Sequence, residues 1–270
     1  PAIIHTHFTR FDVPSYLACD IATLKGLKQR PRIVWHVHSN FFVKNTLIRK
    51  IKDKLKWSYM GKNVYVICVS EELEENIKRK NFSGKSSVVI NGIDIIRAQK
   101  TNKSNYFLRK DLLVNASQKL NRNDISILII GRDQLRKYVT EEFGTLPDNV
   151  VLAEPDEYVG NLYNVADLFI SASRQEGCPY SVMEAMANGL PVIASNIRAL
   201  RWAQGLKGVI FFESCNVNDL TQKILEVSSM DLKKREKISK ENSEFIRINY
   251  SMDTWVNNII NIYHKLLGDG

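Results

Sequence analysis

The stretch from Ala166 to Ser195, ADLFISASRQEGCPYSVMEAMANGLPVIAS, decides the fold. It opens on the apolar run Leu168-Phe169-Ile170 and crosses a polar loop around Gly177. A helical pattern then runs from Ser181 to Asn188, and the stretch ends on a second apolar run, Val192-Ile193-Ala194. Gly189 and Pro191 punctuate it, because glycine accepts the left-handed turn at a helix end and proline cannot continue the helix. Strand, helix and strand in so short a span make a βαβ unit, which implies a parallel sheet with its ligands at the carboxyl edge of the strands.

The same alternation extends in both directions. Apolar runs predict strands at about 2–5, 31–37, 64–69, 87–90, 125–130, 149–153, 167–172, 191–195 and 208–212. Helical periodicity predicts helices at about 14–27, 43–60, 71–80, 106–119, 134–143, 157–165, 181–188, 197–204, 217–227, 231–247 and 252–267. The pattern reads as a doubly wound α/β protein. A polar, basic stretch without apolar period follows Asn91-Gly92-Ile93-Asp94, so the expected division is a Rossmann-like domain over 1–94 and a second over 95–250. The helix over 251–270 either crosses back to the first domain or packs on the second. Asn91-Gly92 also reads as a hairpin turn between two short apolar runs.

Composition narrows the classes. The 270 residues are 44% hydrophobic and 25% charged, enough to build a packed core, which excludes disordered and fibrous proteins. No apolar run approaches the ~20 residues of a membrane-spanning helix. Cys19, Cys68, Cys178 and Cys215 form no C-x-x-C pair, which favours a reducing, cytoplasmic setting. The chain begins at Pro1 and runs straight into Ala2-Ile3-Ile4 without the features of a signal peptide, so it reads as entered mid-fold. The net charge of +9 suggests an anionic partner. Between Val43 and Tyr59, apolar residues recur every four positions among lysines and arginines. That basic amphipathic pattern suits the anionic inner face of a membrane or an anionic acceptor, and equally a core-packed helix with a solvated face. No aromatic stacking platform accompanies the charge, so nucleic acid is not an expected partner.

The chemistry concentrates after the strand that ends at Ser171. Glu176 and Glu184 have seven residues between them, one lying in a glycine loop and the other in the first turns of the following helix. The backbone from Gly177 to Ser181 offers N–H groups at a helix start, a setting suited to a diphosphate, and Gly177 lets a ligand approach the main chain. Ser181-x-x-Glu184 also reads as a capping box. His36 and His38 close the strand Ile33-Val34-Trp35 on one face. Together with His5 and His7 they could offer imidazoles to a metal, but nothing supplies a tetrahedral closure, and the expectation is no metal.

The motif E-G-x-P-x-S-x-x-E-A-M-A-x-G-x-P-V-I-A-S resembles the donor-site signature of family 4 retaining glycosyltransferases, with Glu176 and Glu184 matching its E-x7-E pair. His5-Thr6-His7-Phe8, Trp35-His36-Val37-His38, Val69-Ser70-Glu71, Val89 to Asp94 and Ala166 to Ile170 agree in the same order. The resemblance implies a GT-B fold, two doubly wound Rossmann-like domains facing a cleft, with the N-terminal domain incomplete at its start. It implies a glycosyltransferase that moves a sugar from a UDP- or GDP-sugar to an acceptor hydroxyl with retention of configuration, in glycan, polysaccharide or glycolipid synthesis. Glu176 would then hold the transferred sugar and Glu184 the ribose, with Gly177, Cys178, Tyr180 and Ser181 around the sugar and diphosphate. His36 would be the histidine at the reacting sugar, with His7 and His38 on the acceptor side. For the diphosphate cation, spacing points to Arg132 and Lys137, whereas order along the chain points to Lys110. No D-x-D occurs, and the resemblance requires no cofactor and no metal. The implied partners are the nucleotide-sugar and a glycan or lipid-linked acceptor, with the protein cytoplasmic and peripheral on the inner membrane face. Where the family often shows Gly-Gly and a Glu, this chain reads Ile197 to Trp202, and the segment 95–110 is short. A catalytically silent sugar-nucleotide-binding partner and a sugar-nucleotide epimerase are the alternatives.

Overall fold

The apolar runs become parallel strands throughout. The computed structural model describes residues 2–7, 9–39, 51, 53–98, 110–120, 122, 124–131, 133–154 and 159–268, which separate into two units, Pro1–Gly92 with Met252–Gly270, and Ile93–Ser251.

In the first unit β1 (Ile3–Thr6), β2 (Arg32–Val37), β3 (Tyr65–Cys68) and β4 (Lys85–Val88) form a parallel sheet in that spatial order. From Ile33 to Val37 every residue of β2 is buried, as a strand covered on both faces must be. Helix α1 (Thr9–Leu24) joins β1 to β2 and starts earlier than the expected residue 14, running through Pro14. Asp12 is the reason: fully buried, it accepts a hydrogen bond from Thr6 Oγ1 at 2.6 Å and holds the turn before the proline against the sheet. Helix α2 (Glu71–Lys78) is capped by Ser70, whose hydroxyl accepts from the Leu73 amide. The C-terminal helix, Met252–Leu267, lays Ile259 and Ile262 against Val34, Ile67 and Val89, while Ile260 faces outward.

In the second unit β5 (Ile127–Ile130) pairs with β6 (Val150–Ala153), and β7 (Phe169–Ser171), β8 (Val192–Ser195) and β9 (Val209–Phe212) form a three-stranded parallel sheet. Helices α3 (Lys110–Leu120), α4 (Asp133–Phe143), α5 (Val159–Asn164), α6 (Tyr180–Ala187), α7 (Val217–Ser228) and α8 (Leu232–Asn249) surround these strands. Val114, Ile127, Ile129, Phe212 and Leu220 belong to one continuous core. The buried Asn242 on α8 donates to the carbonyls of Leu190 and Gly208 at 2.8 and 3.3 Å, tying the entries to β8 and β9 to one helix. The expected helix over 197–204 is a 3-10 helix, Arg198–Ala203.

Two expectations change. Asn91-Gly92 is no hairpin turn, because Ile93 bridges Ser251 in place of β4 and the chain turns helical at Ile95–Ala98. The basic helix over 43–59 is described only at 51 and 53–59, and residues 43–50 and 52 lie outside the described residues. Within the described part Ile51, Leu55 and Tyr59 point to solvent at 54%, 56% and 69% exposure, so this stretch of the stripe is not core. A π-helical turn, Leu55–Tyr59, swings Trp57 and Lys56 inward instead.

Candidate functional site

The loop after β7 builds the first constellation. Ala172 and Ser173 are buried as the strand ends, which turns the Ser173 hydroxyl onto the Glu176 carboxylate at 2.7 Å. Burial pushes the Glu176 pKa up, and the serine hydrogen bond works against that rise. Helix α6 starts at Tyr180 with Pro179 at its N-cap and no side chain capping it, so Ser181 lies inside the first turn. The capping box read from Ser181 and Glu184 is therefore not the arrangement. Glu184 instead accepts a hydrogen bond from the Tyr163 hydroxyl of α5 at 3.1 Å. Desolvation raises its pKa to about 7, again opposed by its hydrogen bond.

The backbone of this loop is partly engaged. The Tyr180 amide donates to the Cys178 carbonyl at 3.0 Å, and the amides of Val182 and Met183 turn back to Pro179. The Tyr180 amide thus points into the loop, and Gly177, Cys178 and Ser181 stand beside it around the start of α6. Tyr163 and Ser173 were not singled out in the sequence. Ser173 could have been noticed three residues before Glu176, whereas nothing local links Tyr163 to a glutamate 21 positions away.

The expected phosphate cations are less defined. Lys110 is the first residue of α3, its side chain being outside the described set, and Arg132 lies outside the described residues. Lys137 sits on an exposed face of α4 with its Nζ 3.8 Å from Glu141.

The second constellation belongs to the first unit. His5 stands opposite Val34 in the pairing of β1 with β2, which brings His5, His7, His36 and His38 together at the carboxyl ends of two adjacent strands. Their rings stack, His5 on His7 at 4.4 Å and His36 on His38 at 4.3 Å between centroids, with His7 and His36 4.9 Å apart. His36, expected at the reacting sugar, is buried to 1% exposure beneath its neighbours and Trp255, and the open rings are those of His7 and, in part, His38. Burial together with the neighbouring imidazoles holds His36 down at about 2 and His5 at about 4, so these rings are neutral at ordinary pH. His5 Nδ1 lies 2.6 Å from the Tyr263 hydroxyl, and His7 Nδ1 lies 3.2 Å from His38 Nε2. Beneath β2, Lys56 forms a 2.5 Å ion pair with the buried Asp12 and covers the rings of Trp35 and Trp57.

Comparison with known proteins follows the same division. The family model described as Glycosyltransferase Family 4 matches residues 1–97, and that described as Glycosyl transferases group 1 matches 102–229. An Escherichia coli UDP-Gal:alpha-D-GlcNAc-diphosphoundecaprenol alpha-1,3-galactosyltransferase is 26% identical over 72% of this chain, and the match spans 58% of that protein's length. An uncharacterised glycosyltransferase of Methanocaldococcus jannaschii is 25% identical over 98% of this chain and 75% of its own. Among solved structures, a glycosyltransferase from Rickettsia africae superposes with a TM-score of 0.83 at 20% identity, over 99% of this chain and 77% of its own. The Anabaena protein HepE, crystallised in complex with UDP, superposes with a TM-score of 0.80 at 16% identity, over 97% of this chain and 78% of its own. Both structural likenesses concern the fold.

Proposed function

We propose that this chain, as a family 4-type glycosyltransferase of GT-B fold, moves a sugar from a UDP-sugar to a hydroxyl of a lipid-linked acceptor with retention of configuration. The observation that carries the reading is the pair of half-buried carboxylates at the loop after β7. Each is held by one hydroxyl, Glu176 by Ser173 and Glu184 by Tyr163. A carboxylate in such a position accepts hydrogen bonds from vicinal hydroxyls, and two of them at one loop fit the sugar and ribose ends of one donor. Glu176 takes the sugar hydroxyls and Glu184 the ribose, while the amides of Gly177, Cys178 and Ser181 face the diphosphate. The cation for that diphosphate comes from Lys110, Arg132 or Lys137. Prearranged donors of this kind stabilise the leaving diphosphate as its charge develops, and the leaving oxygen itself takes the acceptor proton on the same face. On the acceptor side His7 and His38 offer open ring edges, with His36 behind them. The choice of uridine draws on the donor in the Escherichia coli relative's name and the UDP held by the Anabaena protein.

A lipid-linked acceptor also suits the exposed Ile51, Leu55 and Tyr59 on the basic segment, which would rest on an anionic cytoplasmic membrane face. Among the described residues no helix is long and apolar enough to cross a membrane.

Calorimetric titration of UDP-glucose, UDP-galactose, GDP-mannose and ADP-glucose into the wild-type protein and Glu184→Ala tests the donor site. Saturable binding of a UDP-sugar, weakened by roughly tenfold or more in the variant, is the expected result. Binding that Glu184→Ala leaves unchanged would remove the site assignment, and no binding of any donor would turn the reading toward a silent partner of an active transferase.

A further inference from the structure

Four of the five histidines of this chain converge on one point of the first sheet, and the donor chemistry has no use for such a number. His5, His7 and His36 place one ring nitrogen each within 4.8 Å of one another. Both ring nitrogens of His36 and Nε2 of His5 are buried and find no hydrogen-bond partner among the described residues. A neutral imidazole carries one N–H and one lone pair, and leaving both unmatched in a site closed to solvent is costly enough that such groups are rare. His36 and His5 therefore each hold a buried lone pair that an electron-pair acceptor among the three rings would take up.

We propose that His5, His7 and His36 form a site for a divalent transition-metal ion of the zinc type, at the carboxyl edge of β1 and β2. Imidazole nitrogen suits such an ion, whereas magnesium and calcium take oxygen ligands. Bonds of about 2.0–2.1 Å require the three nitrogens to draw in to roughly 3.4 Å and the stacked rings to turn their lone pairs toward the ion. Two of the three rings already have the outer partner that metal-bound histidines generally have. His5 Nδ1 lies 2.6 Å from the Tyr263 hydroxyl, and in the tautomer in which Nδ1–H donates to it the lone pair is on Nε2, the atom without a partner. His38 Nε2 stands 3.2 Å from His7 Nδ1 and orients the exposed ring of the three. Three protein nitrogens leave a fourth position for a water or an anionic oxygen, on the side where His7 is exposed. The sugar transfer is not routed through this ion, so the site can stand or fall independently of the donor reading.

The test uses tag-free protein stripped with a chelator and no nucleotide-sugar. Zn²⁺ is titrated against a chromophoric competitor, and Co²⁺ is added separately to record its visible absorption. The expected result is one equivalent of zinc and the intense visible bands of a four-coordinate Co²⁺ centre. In His7→Ala the affinity falls by roughly tenfold or more and the bands vanish, while His264→Ala, at the exposed fifth histidine on the C-terminal helix, binds as the wild type does. His7 is exposed, so its removal is compatible with folding, and a thermal melt of the metal-free variant verifies this. No stoichiometric uptake, or uptake that His7→Ala leaves unchanged, overturns the proposal. The orphaned nitrogens would then be satisfied by ordered water.

Discussion

Glu184 and Lys56 show how burial sets the behaviour of single side chains here. The Glu184 carboxyl rises from 4.5 to about 7 on burial, so between those values the native chain keeps a proton that the unfolded chain has released. Stability is therefore fullest below the lower value and falls as pH rises toward the higher one. Glu184→Gln should flatten that fall, by roughly 1–3 kcal/mol between about pH 5 and about pH 8, read by urea unfolding of both proteins. If Glu184 takes the ribose as an anion, UDP binding should also tighten as pH rises through about 7, a trend the variant should lose. Lys56 poses the opposite case, a cation held inside by the buried Asp12 carboxylate. Lys56→Met strands that carboxylate and should cost about 3–5 kcal/mol in denaturant unfolding. Adding Asp12→Asn in the same chain should recover much of the loss, because the uncompensated charge is the penalty.

The elements that carry the donor site depend on close backbone approach. Gly189 ends the turn after α6 at φ +79°, and a Cβ there would meet the Ser239 side chain of α8. Gly189→Ala should therefore destabilise by roughly 1–3 kcal/mol, through both the left-handed backbone and the contact, and thermal unfolding measures it. The C-terminal helix gives a parallel case in the first unit, where Ile259 and Ile262 bury themselves against Val34 and Ile67. Ile262→Ala should cost about 2–5 kcal/mol, whereas Ile260→Ala on the exposed side of the same helix should stay within about 0.5 kcal/mol. Strands were readable from the chain at this scale because all three sheets are parallel and mostly covered, so their apolar runs stand out from the helical periods around them. The 3-10 turn at Arg198–Ala203 and the π turn at Leu55–Tyr59 were not, since each is chosen by what its buried residues meet.

For the molecule as a whole, a ligand that binds the native state alone raises the unfolding midpoint. UDP at about a hundred times its dissociation constant should add about 2.7 kcal/mol to the wild type and much less to Glu184→Ala, measured by calorimetric melting. The amino-acid order was sufficient for the α/β class and for most of the strands and helices, and the resemblance read from the loop between Phe169 and Ser195 agrees with the glycosyltransferase models that match the chain. Those features are local: apolar period, glycine and proline punctuation, and a motif contained in one βαβ unit. Which groups complete each site was a matter of the folded chain. Tyr163 reaches Glu184 across 21 positions, Tyr263 reaches His5 across 258, and Lys56 finds Asp12 across 44. Contacts at such separations leave no periodic trace in a sequence, and strand order in the sheet, which sets His5 beside His36, arises from pairing between segments and not from either segment alone.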